Sequence, residues 1–490
     1  MNLVELLLAD PSGATAIVTP TATWSRSQLA EEASRVAGAV EANSAPEARI
    51  VILADNGEDF IAAYLGILLA GRVAVPLNPS APAAELATEL DVIEPGLVLC
   101  GNGHVPPLPE VARMEISTAR QATPSEACTP RNPEDIAVLL FTSGTAGMPK
   151  AAILTHGNLI ANIRQVQDTA GLAMRADDVG LAVLPFFHIF GLNVVIGLAL
   201  ASRAALVISG TFHPVRSAES IRTHGVTVVA AVPAIYRTWL DHRAEIGGDA
   251  FATVRLAVSG AAELGGVLQG ALVENFGLVV QEGYGLTEAS PIVTTTAIGS
   301  ATRPGSIGPP LPGIAIRLVD KDGLDAVSGD PGEILIKGPN VFCGYWNDRE
   351  QSEKVLRDGW LHTGDIAVRD DDGWLTLVDR AKDLIIVSGF NVYPGEVELA
   401  LASHASIEAV AVVGEREDNG NERVVAYVVA KSGSLPSPIE LDQFLRSRIA
   451  RYKIPRDYKF VSELPQTFAG KVLRRALRAG GRADAAQNPE

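Results

Sequence analysis

Cysteine is nearly missing from this chain. It has three, Cys100, Cys128 and Cys343, far apart and never spaced as a CxxC pair. That excludes a disulfide framework and a zinc knuckle, and it fits a reducing, cytoplasmic setting. Basic residues are also in deficit: 40 Lys and Arg against 57 Asp and Glu leave a formal net charge of −17. A sequence-independent nucleic-acid surface needs basic patches and is excluded, although a local loop can still concentrate positive charge for a small anion. Long apolar runs are missing too. The longest candidate starts at Gly191 and stops at Ser202 and Arg203, too short to cross a bilayer, with surface contact to a membrane left open. The opening MNLVELLLAD has no basic segment and carries Glu5 within its apolar run, so it reads as a short helix rather than a signal peptide.

What is present is a globular composition, 47% hydrophobic and 20% charged, in 490 residues. That is too long for one core, so two or more domains are expected. From Trp24 the pattern is helical, with Ser25 and Gln28 spaced as a capping box. RIVILA (from Arg49), VAVPL and GLVLC read as buried strands, separated by the helical stretches DFIAAYLGILLAG and AAELATELDVI. The alternation resumes after residue 150, and strands alternating with helices of this length predict parallel βα units. Residues 101–135 are Pro-rich and read as an irregular connector. From Ile307 short runs with Gly and Asp turns predict a β-rich subdomain, with a hairpin turn at Asp371, Asp372 and Gly373. The charged DRAKD (Asp379 to Asp383) marks a boundary before a compact α+β unit. The expected fold is α/β. A large N-terminal domain of βα units with parallel-type sheets and a β-rich subdomain spans 1–381. A small mobile C-terminal α+β domain spans 382–490, with a disordered tail after about 479.

One stretch between apolar runs carries chemistry: Thr142, Ser143, Gly144, Thr145, Ala146, Gly147, Met148, Pro149 and Lys150. Glycines let backbone N–H groups turn inward, hydroxyls add donors and lysine adds charge, which together suit a polyphosphate. An ordinary small-residue turn is nearly as good a reading of the loop alone. It is not a Walker loop, since Lys150 follows Pro149 and precedes Ala151. Downstream stand FFHIFG (from Phe186), QEGYGLTEASP (from Gln281), WLHTGD ending in Asp365, Asp379-Arg380, SGFNVYPGEVE from Ser388, and PQTFAGKVLRR with Lys471.

In that order TSGTAGMPK, FFHIFG, GYGLTE, TGD, DRAKD and GK resemble the adenylate-forming superfamily: acyl-CoA synthetases, luciferases and peptide-synthetase adenylation domains. The resemblance runs from about Trp24 to Arg478 and is most like a fatty-acid:CoA ligase. It implies ATP, Mg²⁺ and coenzyme A, and a carboxylic acid converted to an acyl-adenylate and then a thioester, with AMP and pyrophosphate released. Two anions must meet, so catalysis is mostly charge neutralisation and positioning. By resemblance, Thr142 to Gly147 and Lys150 hold the β- and γ-phosphates, Thr145 and Glu288 the metal, and Thr287 the α-phosphate. Gly260, Ala261, Glu282, Gly283 and Tyr284 also bind ATP, with Tyr284 stacking on adenine. Asp365, assisted by Arg380, takes the ribose hydroxyls. Lys471 bridges the acyl carboxylate and the α-phosphate. A hinge at Lys382 then swings the C-terminal domain, bringing Ser388 and Gly389 to the thiol tunnel of CoA.

His188, Asn193, Tyr236, Gly260 and Gly285 are the implied acyl-pocket residues, with His188 also a catalytic candidate at the gate to the thiol tunnel. The loop departs from the commoner TSGTTGxPKG pattern at Ala146 and Ala151, and Gln466 replaces the basic residue that often follows the proline. FFHIFG has no carboxylate for an amino group, which argues against amino acids. The pocket stretches are apolar or small, so a medium- or long-chain fatty acid leads and an aryl acid follows. A dicarboxylate needs a buried cation, for which Arg237 is the nearest candidate. Hand-over to a carrier protein, a homodimer and a non-adenylating NTPase remain as alternatives.

Overall fold

The structure, a computed structural model, describes residues 1–102, 111–142, 149–298, 303, 305–320, 322–380, 385–387, 390–392, 394–416, 422–446, 448–449, 451–466 and 472–480. The chain separates into two compact units, Met1–Ile316 with Ile336–Leu361, and Arg317–Leu335 with His362–Glu490. The division thus follows Leu361, earlier than the expected hinge at Lys382, which lies outside the described residues. Compactness and the position of a hinge are separate properties, and a swing about Lys382 stays a proposal.

The first unit is built on two sheets. The six-stranded one has the order Arg113–Glu115, Leu97–Cys100, Arg49–Leu53, Val73–Pro76, Ile136–Thr142, Lys150–Thr155. Its strands are parallel except for the last pair, which is antiparallel. The eight-stranded one runs Ile292–Thr295, Val280–Gly285, Leu256–Ser259, Val228–Ala231, Val179–Ala182, Ala205–Ile208, Thr15–Val18, Thr23–Ser25. Its six inner strands are parallel, as the alternation of strands and helices predicts. The helix Glu58–Leu69 is apolar on every side and accordingly buried from Phe60 to Leu69. The expected capping box is present: Gln28 N donates to Ser25 Oγ at 3.1 Å and Ser25 N to Gln28 Oε1 at 2.8 Å. The stretch 101–135 is less irregular than expected, for it contains the strand Arg113–Glu115 and the short helix Ile116–Ala119. The three-residue strand reads as connector in sequence because it is too short to display alternation.

In the second unit Asp365 to Arg369 pair with Leu375–Arg380, and this hairpin turns at the predicted Asp-Asp-Gly. A three-stranded sheet, Ile407–Arg416, Glu422–Ala430 and Asp457–Phe460, packs with the helices Pro394–Ala402 and Pro438–Arg446 around Val397, Leu401, Val412, Val428 and Leu441. Among the described residues no helix is long and apolar enough to cross a membrane.

Candidate active site

The stretch Thr142 to Lys150 is flanked by a strand pair. Ile136–Thr142 and Lys150–Thr155 run antiparallel, ending with Thr142 opposite Lys150. Thr142 Oγ1 donates to the Lys150 carbonyl at 3.5 Å. Ser143, Gly144, Thr145, Ala146 and Gly147 lie outside the described residues.

Lys150 and Glu288 are far apart in sequence, and Tyr345 joins them. The Lys150 ammonium sits 5.3 Å from the Tyr345 ring centroid and donates to Gln351 Oε1 at 2.9 Å. The Tyr345 hydroxyl donates to Glu288 Oε1 at 2.7 Å. Burial, and then the adjacent Glu288 carboxylate, push the Tyr345 phenol far up, so it stays a donor. The segment carrying Tyr345 is laid against the loop's second strand by backbone bonds: Ile153 N donates to the Gly344 carbonyl and Trp346 N to that of Ala151. A second capping box, Thr155 with Asn158, starts the helix His156–Gln167, and Asn158 Nδ2 also donates to the Pro339 and Val341 carbonyls.

Thr287 and Glu288 occupy a short 3₁₀ turn after the strand Val280–Gly285. Three asparagines secure that turn. Asn193 Nδ2 donates to the Ser290 carbonyl at 2.8 Å, Asn340 Nδ2 to that of Ala289 at 2.8 Å, and Asn162 Nδ2 to that of Ile292 at 2.7 Å. Asn193 belongs to a π-helical segment, Phe190–Gly197. Gly285 is required here, since a Cβ would fall 1.9 Å from the Pro291 carbonyl oxygen.

At the ends of the parallel strands, where ligands bind in open α/β sheets, Gly260 leaves room for the Phe190 ring, 3.3 Å from where its Cβ would be. Ala261 takes a left-handed backbone, φ 68°, unusual without glycine. Glu282 lies opposite Ser259 in register and accepts from Leu264 N at 3.1 Å. Burial, and to a lesser extent Glu263, hold its carboxyl above the usual range. Gly283 and the buried Tyr284 follow on the same strand. Tyr236 is fully buried, its hydroxyl donating to the Val258 carbonyl at 3.0 Å. His188 keeps an exposed edge beside Phe187, ring centroids 4.6 Å apart, while surrounding protein lowers its imidazole pKa by desolvation. Arg237 is exposed, not a buried cation.

In the second unit Asp365 is buried and paired in register with Arg380. Glu333 supports its turn, accepting from Gly364 N at 3.0 Å. The Arg380 side chain, Lys382, Ser388, Gly389 and Lys471 lie outside the described residues. Tyr345, Gln351, Asn162, Asn340 and Glu333 have no place in the motif reading. The one sequence signal was Asn158, Asn162 and Gln165, polar residues three and four apart on the buried side of one helix.

Among the described residues no group of three His, Cys, Asp or Glu side chains can hold a metal ion. A lone carboxylate such as Glu288 nevertheless fits Mg²⁺, which usually takes one or two carboxylates and completes its shell with water and substrate phosphates.

Residues 8–346 match the AMP-binding enzyme family and residues 396–471 the AMP-binding enzyme C-terminal domain. A long-chain-fatty-acid–CoA ligase of Bacillus subtilis is 33% identical over 88% of this chain and 85% of its own length. Its counterpart in Escherichia coli O6:H1 is 38% identical over 72% of this chain, which spans 63% of that protein. A 4-coumarate–CoA ligase of Oryza sativa is 33% identical over 88% of this chain and 84% of its own. The crystal structure of ATP-bound MatB from Rhodopseudomonas palustris superposes with a TM-score of 0.92 at 30% identity, covering 98% of each chain. The chain therefore belongs to the AMP-binding enzyme family, as an adenylate-forming enzyme of the acyl-CoA synthetase type.

Proposed function

We propose that this protein activates a medium- or long-chain fatty acid with ATP as the acyl-adenylate and transfers the acyl group to coenzyme A, releasing pyrophosphate and AMP. The observation that carries the reading is the Lys150–Tyr345–Glu288 arrangement. It holds a cation and a carboxylate on one phenol, with the cation at the start of a strand that pairs with Ile136–Thr142. Lys150 and the loop grip the phosphates that leave, and Thr287 donates to the α-phosphate. Glu288 and Thr145 hold Mg²⁺, which when bound neutralises phosphate charge. Asp365 orients the ribose, and Lys471 bridges carboxylate and α-phosphate in the first step. The Phe190 ring beside Gly260, the exposure of Arg237 and the long-chain relatives support an aliphatic acid. The rice relative favours a second reading, an aryl acid. Three free cysteines fit a reducing cytoplasm.

The test is incubation with ATP, Mg²⁺ and a panel of fatty, aryl and dicarboxylic acids, with and without CoA. AMP, pyrophosphate and acyl-CoA should rise together with fatty acids. Acyl-AMP that accumulates whether or not CoA is present would replace the ligase by an adenylate-forming enzyme serving a carrier protein.

A further inference from the structure

An apolar cavity of about 40 Å³ lies inside the first unit, along the eight-stranded sheet whose strand ends carry the candidate site. That is roughly three times what one water needs, but an apolar lining leaves such a space dry and suited to hydrocarbon. Its wall follows the strands. Val228 and Ala230 are two apart on one strand and Leu256 and Val258 two apart on the next, so each pair shares a face. Val194 and Leu198 cover them from the π-helical segment and the helical turn after it.

One end of the cavity adjoins the proposed acyl site. Val258 precedes Gly260 by two residues, and Ile292 is paired with Gly285. The other end is at the start of the strand Val179–Ala182. There a Cβ on Gly180 would stand 3.4 Å from Leu206 Cδ1 and 3.6 Å from Met174 Cε.

We propose that this cavity receives the terminal carbons of a straight, saturated acyl chain, and that Gly180, backed by Met174 and Leu206, sets the longest chain accepted. The inference rests on the fatty-acid reading and adds to it the residues that measure the chain. Each methylene that enters improves binding about fourfold. Beyond the floor, an added carbon must displace Met174 or Leu206 from a packed core, and the gain stops. A terminal carboxylate would find no donor among the lining side chains, so a dicarboxylate is rejected.

Gly180 has no left-handed φ, and its would-be Cβ contacts are of ordinary van der Waals length, so alanine fits without strain. The experiment measures kcat/KM for wild type, Gly180→Ala and Met174→Ala with ATP, Mg²⁺, CoA and saturated acids from about six to eighteen carbons. Melting curves of each protein accompany the rates. Gly180→Ala should cut kcat/KM about fourfold for acids at and above the wild-type optimum, leaving shorter acids within about twofold. Met174→Ala should move the optimum to longer acids. Opposite shifts from the two variants cannot come from general destabilisation, and if Gly180→Ala melts early, Met174→Ala alone decides. A profile unmoved in a folded variant overturns the ruler and leaves the fatty-acid reading standing. A wild type that uses aryl acids and no straight-chain acid overturns both.

Discussion

Two buried side chains of the first unit, and one in the site, show how single residues answer to their surroundings. Tyr345 ties one Glu288 oxygen in place through a 2.7 Å bond. Removing a hydroxyl of this kind costs about 1 kcal/mol of folding stability, but it also frees the carboxylate proposed to hold Mg²⁺. Tyr345→Phe should raise the Mg²⁺ concentration needed for half-maximal adenylation several-fold and leave KM for the acid unchanged, as Mg²⁺ titrations of the initial rate will show. Unaltered Mg²⁺ dependence rejects the role. Glu89 is buried, its Oε2 has no hydrogen-bond partner, and burial raises its carboxyl to about 7. Its folded pKa exceeds the ordinary 4.5, so its contribution to stability is full below 4.5 and lost as pH rises through about 7. His156 acts in the opposite sense. Burial lowers it from 6.5 to about 4, so its contribution is present above 6.5 and lost as pH falls toward 4. Glu89→Gln should therefore raise the melting temperature at pH 8 by about 2 °C and change it little at pH 5. Equal shifts at both pH values contradict that assignment.

At the scale of elements, the turn bearing Thr287 and Glu288 depends on close backbone approach. With a Cβ 1.9 Å from the Pro291 carbonyl oxygen, Gly285→Ala must move one strand of the pair. The expected cost is about 1–3 kcal/mol, with adenylation lost beyond what the change in stability explains. Melting curves and ATP–pyrophosphate exchange, measured on the same preparation, test this. An active, unshifted variant would show that the turn tolerates the displacement. Local signals were legible where a physical rule ties few residues together: the Ser25–Gln28 cap and the Asp-Asp-Gly hairpin both form as read. The π-helical segment Phe190–Gly197 was not legible, because it is apolar almost all round and offers no periodicity to separate one helical pitch from another.

For the whole molecule, the proposed chemistry divides between units that share no continuous stretch of chain. Lys150, Thr287 and Glu288 belong to one, Asp365 and Lys471 to the other. If Lys471 serves only the first step, Lys471→Ala should depress adenylate formation by about two orders of magnitude or more. Thioester formation from supplied acyl-adenylate and CoA should then stay within about threefold, since an interaction confined to one transition state affects that step alone. Equal losses in both half-reactions would remove the two-step assignment.

The sequence by itself determined the α/β class, the order of strands and helices and the ordered motifs that mark the family. These follow from periodicity, turn chemistry and short local patterns, which need no knowledge of distant neighbours. Only the tertiary structure decided that Tyr345 joins Lys150 to Glu288, that three asparagines lock the 287–289 turn, and that Gly180 faces Met174 and Leu206. Each of these contacts links residues brought together by sheet order and helix packing. A lone tyrosine, asparagine or glycine carries no mark of the partner it will meet.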